Sequence, residues 1–286
     1  MTTIGILHPG DMGSVVGACA VAAGSRVLWA SEGRSAGSRK RAAAAGLEDA
    51  GTVAALMGAS DVVLSVCPPH AALDLARGVA RLNFGGLFVD ANAVAPATGR
   101  EIGAVVEAAG ATFVDGGLIG PPPRSAGSTR LYLSGREAKR AAALFEGSAL
   151  EAIAIGEGAG AASALKMAYA AYTKGSSALL MAIRALAAAE GVDDALLAEW
   201  RRSQPELPKR SEAAARDNAR KAWRFVGEME EIAATFEAAG LPGGFHQAAA
   251  VIYDRLAGYK DATTPPAMAD LVAPLTRRTT SSERAR

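Results

Sequence analysis

Apolar positions fall along this chain in two regimes. Up to about residue 157 they form short runs bounded by polar or glycine-rich breaks: Thr3–Leu7, Ser25–Ala30, Asp61–Val66, Gly86–Asp90, Thr112–Asp115, Leu131–Ser134 and Ile153–Ile155. Alanine-rich stretches of helical length, such as Ser14–Ala23, lie between them. Short, nearly continuous apolar runs read as strands covered on both faces, and their alternation with helices predicts an α/β fold with a doubly wound, mainly parallel sheet. From Ala159 to Glu190 the pattern changes to a single helix, about 48 Å long at ~1.5 Å per residue. It is apolar on nearly every side, so it is expected to be covered by its own domain and by a second copy of the chain. The remainder is helical by period to about Thr276, with Trp200, Trp223, Phe225, Phe236 and Tyr253 as its large core side chains and Gly240–Gly244 as a helix stop. The expected organisation is an α/β domain over 1–158, an interdomain helix with an all-α domain over 159–276, and a polar, disordered tail over 277–286.

Chemistry is concentrated where the first strand turns into the first helix. Ile4-Gly5-Ile6-Leu7-His8-Pro9-Gly10-Asp11-Met12-Gly13 has the shape of a G-x-G-x-x-G turn in which His8 replaces the first glycine. Gly10 and Gly13 remain, and these are the positions that keep side chains away from a pyrophosphate and from the neighbouring strand. An anion site at the helix N-terminus is therefore retained, while Pro9 fixes one φ in the altered turn. With the strand at Ser25–Ala30 the segment makes a βαβ unit of about the ~30 residues such turns need. His8 either donates to a phosphate oxygen or points outward.

The second strand ends in Ser31-Glu32-Gly33-Arg34-Ser35, followed by Arg39-Lys40-Arg41. A carboxylate here would take a ribose 2′-hydroxyl, as Glu32 is placed to do, whereas arginines and serines would cradle a 2′-phosphate. The set favours NADP(H) over NAD, the plainer alternative for Arg39–Arg41 being a solvated turn of helix. Cys67-Pro68 and Asp90-Ala91-Asn92 end later strands, so Cys67, Pro68 and Asn92 join the turn as cofactor-site candidates.

Composition narrows the possibilities. In 286 residues, 30 basic against 29 acidic side chains give no reason to expect nucleic acid or an anionic membrane as partner. Cys19 and Cys67 make no metal or disulfide pattern, and His8, His70 and His246 have no ligand spacing, so no metal is expected and a reducing cytoplasm is. Lys166, Lys174 and Arg184 interrupt the long apolar stretch, which argues against a spanning helix.

Gly10-Asp11-Met12-Gly13, Asp90-Ala91-Asn92 and Gly156-Glu157-Gly158-Ala159-Gly160 leading to Lys166 together carry a family likeness. The chain resembles the NADP-binding oxidoreductases related to 6-phosphogluconate dehydrogenase and the β-hydroxyacid dehydrogenases, with imine reductases as close relatives. The last third looks like a distinct helical branch. The resemblance implies a Rossmann-type domain and hydride transfer between NADP(H) and a small-molecule substrate, a small hydroxy or oxo acid, with Lys166 as catalytic acid/base. The alternatives are imine reduction and a non-catalytic NADP-binding redox sensor; the long helix and C-terminal domain are expected to form a homodimer. A lysine buried near a nicotinamide would have its pKa lowered from ~10.4 towards the ~7–8 useful for proton transfer; the alternative is a snorkelling lysine with its charge in water.

Three positions depart from the family, and all concern substrate. Its Ser-Gly-Gly falls on Ile119-Gly120-Pro121, its asparagine after the lysine on Ala170, and its C-terminal Lys-Asp pair near Gly227-Glu228. The substrate-site candidates are accordingly Gly116, Gly117, Ile119, Gly120, Tyr169, Arg224 and Glu228, a solvated helix face being the other reading of the last two. Arg124 or Arg130, in the stiff loop Gly120–Arg130, stands in for the missing serine or is plain surface arginine.

Overall fold

A computed structural model describes residues 1–277, so the expected disorder of the tail falls, apart from Arg277, outside the described residues. The chain divides into two compact units, Met1–Ala168 and a second beginning at Tyr169. The division falls inside the long helix, α7 (Ala161–Ala189), rather than at its start.

The first unit is one sheet with strand order β3-β2-β1-β4-β5-β6-β7-β8 among the described residues. Its strands are β1 (Thr3–Ile6), β2 (Arg26–Trp29), β3 (Glu48–Asp49), β4 (Val62–Ser65), β5 (Leu87–Asp90), β6 (Thr112–Ile119), β7 (Thr129–Ser134) and β8 (Leu150–Gly156). All neighbours pair parallel except β6 and β7. Period-2 alternation sorts the core onto two faces: Ile4, Ile6, Val27, Trp29, Val62 and Leu64 on one, Leu7, Leu28, Val63 and Phe88 on the other. Helices α1 (Asp11–Ala22), α2 (Ala36–Ala44), α3 (Val53–Ala59), α4 (Pro69–Arg81), α5 (Pro96–Ala108) and α6 (Ala138–Ala143) make the connections. From β1 the chain winds outward to β2 and β3, then returns to β4 on the other side of β1. The carboxyl ends of β1 and β4 therefore flank the switch point, where open α/β sheets bind ligands.

Three expectations need correction. The strand β3 is not announced by the apolar pattern because its two residues are polar and exposed. Helix α1 begins at Asp11, three residues before the apolar stretch that announces it. Strand β6 does not end near Asp115: it runs four residues past the last residue paired with β5, to Ile119, because antiparallel β7 continues the ladder there.

The second unit is helical: the rest of α7, α8 (Asp193–Ser203), α9 (Leu207–Asn218), α10 (Ala222–Ala238), α11 (Gly244–Arg255) and α12 (Met268–Thr276). Gly240, with φ +76°, stops α10 as expected. Buried Arg184 ties α7 to α8 and α9, with both Asp193 oxygens at 2.6 and 2.9 Å, Ser211 Oγ at 2.9 Å and Glu212 Oε1 at 3.1 Å. Among the described residues no helix is long and apolar enough to cross a membrane.

Candidate functional site

The β1–α1 turn holds its glycines for different reasons. Gly13 is demanded by the protein itself, since a Cβ there would collide with the His8 carbonyl oxygen. Gly10 is the N-cap of α1 with φ −72°, and a Cβ on it would meet nothing within 4 Å. Neither the turn nor the packing requires a glycine at Gly10, so the space above it is open. No side chain caps this helix end. An uncapped helix N-terminus beneath an open glycine fits a pyrophosphate held by the amides of Asp11, Met12 and Gly13.

His8 is half-buried beside Arg34, and burial first, then the arginine's charge, lowers its pKa to about 4. It is neutral near pH 7, which removes the imidazolium form of the expected phosphate donor. Its Nδ1 is buried without a partner.

Two of the arginines after β2 reach back to this turn, and the third bonds within its own segment. Arg34 Nη2 donates to the Leu7 carbonyl at 3.2 Å, Arg41 Nε to the Pro9 carbonyl at 3.1 Å, and Arg39 Nη2 to the Ser31 carbonyl at 2.9 Å. Arg41 also lies 3.7 Å from Asp11. Each contact uses one donor of a five-donor fork and leaves others for an anion. Ser35 caps α2, its hydroxyl accepting from Ser38 N–H. Asp49, on the short strand that the apolar pattern does not reveal, receives hydrogen bonds from the Ser31 hydroxyl and the Gly51 amide, and these hold its carboxyl below the usual range. Glu32 is exposed.

At the ends of β4 and β5, Asn92 is spent inside the protein. Its Oδ1 accepts from the Cys67 amide at 2.5 Å, and its Nδ2 donates to Ser65 Oγ at 2.8 Å and Asp90 Oδ1 at 2.5 Å. This cofactor-site candidate thus braces the Cys67-Pro68 turn, Pro68 being the N-cap of α4. The Cys67 thiol is pushed up to about 12 by burial and by the charge of Asp90, which makes it a poor nucleophile. Asp90 itself is fully buried, with its Oδ2 unpartnered, and its pKa is raised to about 7 by burial and by neighbouring Asp115.

Strand β6 meets the first two turns of α7. Gly116 and Gly117 are buried strand residues, not loop, and both are needed for close approach: a Cβ on Gly116 would lie 2.8 Å from the Asp90 carbonyl oxygen, and one on Gly117 2.9 Å from both the Ala162 carbonyl oxygen and Lys166 Cβ. On that seam Lys166, half-buried, donates from Nζ to the Leu118 carbonyl at 2.8 Å. Leu118 lies beyond the carboxyl end of β5, on the side of the sheet where the β1 turn also lies. Below it Asp115, Ser134 and Ser163 form a buried polar cluster that no sequence motif marks. The available signal is an aspartate closing an apolar strand, which costs heavily unless every oxygen is satisfied.

Comparison with known proteins fits this geometry. Residues 3–156 match the family described as the NAD binding domain of 6-phosphogluconate dehydrogenase, and residues 187–256 match a domain of unknown function, DUF1932. The chain belongs to the 6-phosphogluconate dehydrogenase NAD-binding family. An uncharacterized 28.5 kDa protein of Methanothermus fervidus is 33% identical over 138 residues, 48% of this chain, so the chain spans about half (52%) of the length of that curated relative. Among solved structures, the conserved protein MTH1747, described as structurally similar to 3-hydroxyacid dehydrogenases, is 25% identical with TM-score 0.66 over 90% of this chain and 98% of its own. The fold is shared with the 3-hydroxyisobutyrate dehydrogenase of Mycobacterium tuberculosis (20% identity, TM-score 0.69, 97% and 100% coverage) and with an imine reductase of Streptomyces aurantiacus (19%, 0.54, 96% and 100%).

Within this family the three departures have structural counterparts, Ala170 being buried in α7. Ile119 is buried at the end of β6 and itself offers no hydroxyl where the family has its serine. Gly120, with φ +127°, starts the following loop under the Ser128 carbonyl, and that loop is internally bonded: Thr129 Oγ1 donates to the Pro121 carbonyl, and Arg130 Nη1 to the Gly127 carbonyl at 3.3 Å. Arg124 is exposed, as is Tyr169. Glu228 is not on a solvated face. It forms a nearly buried ion pair with Lys174 at 2.6 Å, next to Phe225, whose ring Lys174 approaches at 4.8 Å and exposed Arg224 at 5.5 Å. Tyr253 donates to the Lys174 carbonyl at 2.8 Å, and burial, then the charge of Glu228, raises its pKa.

Proposed function

We propose that this chain is an NADP(H)-dependent oxidoreductase that moves hydride between the nicotinamide and a small hydroxy or oxo acid, or a related carbonyl compound, with Lys166 as general acid/base. The observation that carries the reading is the ammonium of Lys166, held 2.8 Å from the Leu118 carbonyl beyond the carboxyl end of the parallel strands, in the same compact unit as the open turn at Gly10. In the reducing direction Lys166 gives a proton to the substrate oxygen as that oxygen gains charge; in the oxidising direction it takes the alcohol proton. The Leu118 carbonyl holds the donor between turnovers. The bound cofactor supplies or accepts the hydride. Its pyrophosphate would lie on the α1 amides, and Arg34, Arg39 and Arg41 with Ser31 and Ser35 favour a 2′-phosphate.

We also propose that the chain works as a cytoplasmic homodimer. An apolar groove of about 470 Å³ in the second unit, lined by Gly175, Leu179, Phe245, Val251 and Ile252, supports the homodimer. Leu179, Phe245 and Val251 are about half exposed, an apolar patch suited to a second copy.

Reduction of an imine is the second reading, favoured by one observation: Ile119 is buried and provides no hydroxyl for a substrate carboxylate. Following NADPH absorbance with a panel of 2-oxo acids, 3-oxo acids, aldehyde acids and cyclic imines separates the two. Carbonyl turnover that drops ~10²–10⁴-fold in Lys166→Ala supports the first reading. Turnover of imines alone, or a Lys166→Ala rate within about tenfold of the parent, overturns it.

A further inference from the structure

We propose that Asp115, acting through Ser163 and Ser134, is a positioning residue that fixes where the Lys166 ammonium sits; the inference rests on the acid/base reading of Lys166. Asp115 is fully buried and is the last β6 residue in register with β5. Its Oδ1 accepts from the Ser163 hydroxyl at 2.5 Å, and its Oδ2 accepts from the Ser163 amide at 2.9 Å and the Ser134 hydroxyl at 3.0 Å. Ser134 Oγ in turn accepts from the Ala162 amide at 3.0 Å. Two amides of the first turn of α7 are thus bound, directly or through one hydroxyl, to a single carboxylate, which the positive end of the helix also attracts.

The geometry repeats three residues later. Asp115 pairs with Ser163, and Leu118, three along the strand, pairs with Lys166, three along the helix. Residues i and i+3 share a helix face, so the bonds at Ser163 set the rotation that turns Lys166 towards β6. A slip of one residue would rotate that face by about 100° and take Nζ away from the Leu118 carbonyl. Between the two ties Gly117 admits Ala162 and Lys166 Cβ, and on the far side Gly99 of α5 closes over Ser163 and Asp115, where a Cβ would lie 3.2 and 3.3 Å from their oxygens. An apolar pair would fill this seam without desolvating a charge, but it would not choose one rotation of the helix; a carboxylate with directed acceptors does. Asp90 on β5 is the other carboxyl facing the cluster.

The test needs no known substrate. Lysines of the protein are reductively methylated with ¹³C, and the Lys166 resonance, assigned by its loss in Lys166→Arg, is followed through a pH titration in the parent, Ser163→Ala and Asp115→Asn. In Ser163→Ala the resonance is expected to shift, with its midpoint moving by about half a pH unit or more, while NADPH affinity stays within about twofold. An unchanged resonance and midpoint in folded Ser163→Ala overturns the proposal, as does a shift shared by every lysine. If Asp115→Asn does not fold, Ser163→Ala and Ser134→Ala decide it. A shifted resonance together with carbonyl reduction that survives Lys166→Ala would retain the positioning role and reject the acid/base one.

Discussion

Gly10 and Gly117 sit in two parts of the same unit, the β1–α1 turn and the β6–α7 seam, and neither has the positive φ that makes glycine obligatory. At Gly10 a Cβ would enter open space; at Gly117 it would collide with the Ala162 carbonyl and Lys166 Cβ at 2.9 Å. The first glycine is kept free for something the protein does not contain, the second for something it does. The turn leaves space open, and the seam holds a side chain still. On the proposed reading that difference separates binding from chemistry, and each part is expected to break without the other.

The largest effect is expected from charge beside the seam. Asp90 keeps its proton to about pH 7 in the folded protein, against about 3.8 for an ordinary aspartate, because it is buried beside Asp115. A carboxyl with a raised folded pKa favours the native state at low pH, and that contribution is lost as pH rises from about 4 to about 7. Asp90→Asn keeps an acceptor for Asn92 and removes the titration. Urea unfolding should show the variant gaining on the parent across that window by up to about 4 kcal/mol, then holding a constant lead. A stability difference independent of pH would contradict the burial account.

Gly117→Ala comes next. Pushing β6 and α7 apart should cost about 1–3 kcal/mol of stability and reduce turnover, with NADPH affinity little changed. Loss of affinity equal to the loss of turnover would mean that turn and seam are not separable. The smallest effect belongs to the far side of the turn. Arg34→Ala should weaken NADP about tenfold and NAD scarcely at all, at unchanged stability; equal weakening of both would remove the 2′-phosphate from the site.

The two parts are unequally legible in the sequence. The turn can be read because its logic is local: a strand, two glycines at fixed spacing and a helix lie within some ten residues. Lys166 is reached through its glycine-rich lead-in. What surrounds it is not, because Asp115, Ser134 and Ser163 come from three elements and meet only through the antiparallel pairing of β6 with β7 and the packing of α7. The same limit explains why β6 is read only to Asp115 and why the partners of Asn92 and Glu228 are not legible, since each depends on a contact remote in sequence: the pairing with β7, the Cys67 amide and Lys174. The parallel sheet is readable from the alternation of strands and helices, whereas β3 has no apolar residue to announce it.

The most direct measurement is a calorimetric titration of NADPH into the parent and Gly10→Ala, paired with thermal unfolding of both. Unfolding is expected to be identical, because the added methyl meets no protein atom, and affinity to fall at least about tenfold, because the methyl occupies the space of the pyrophosphate. NADPH bound equally well by both proteins, or by neither, would contradict a turn built to receive the cofactor.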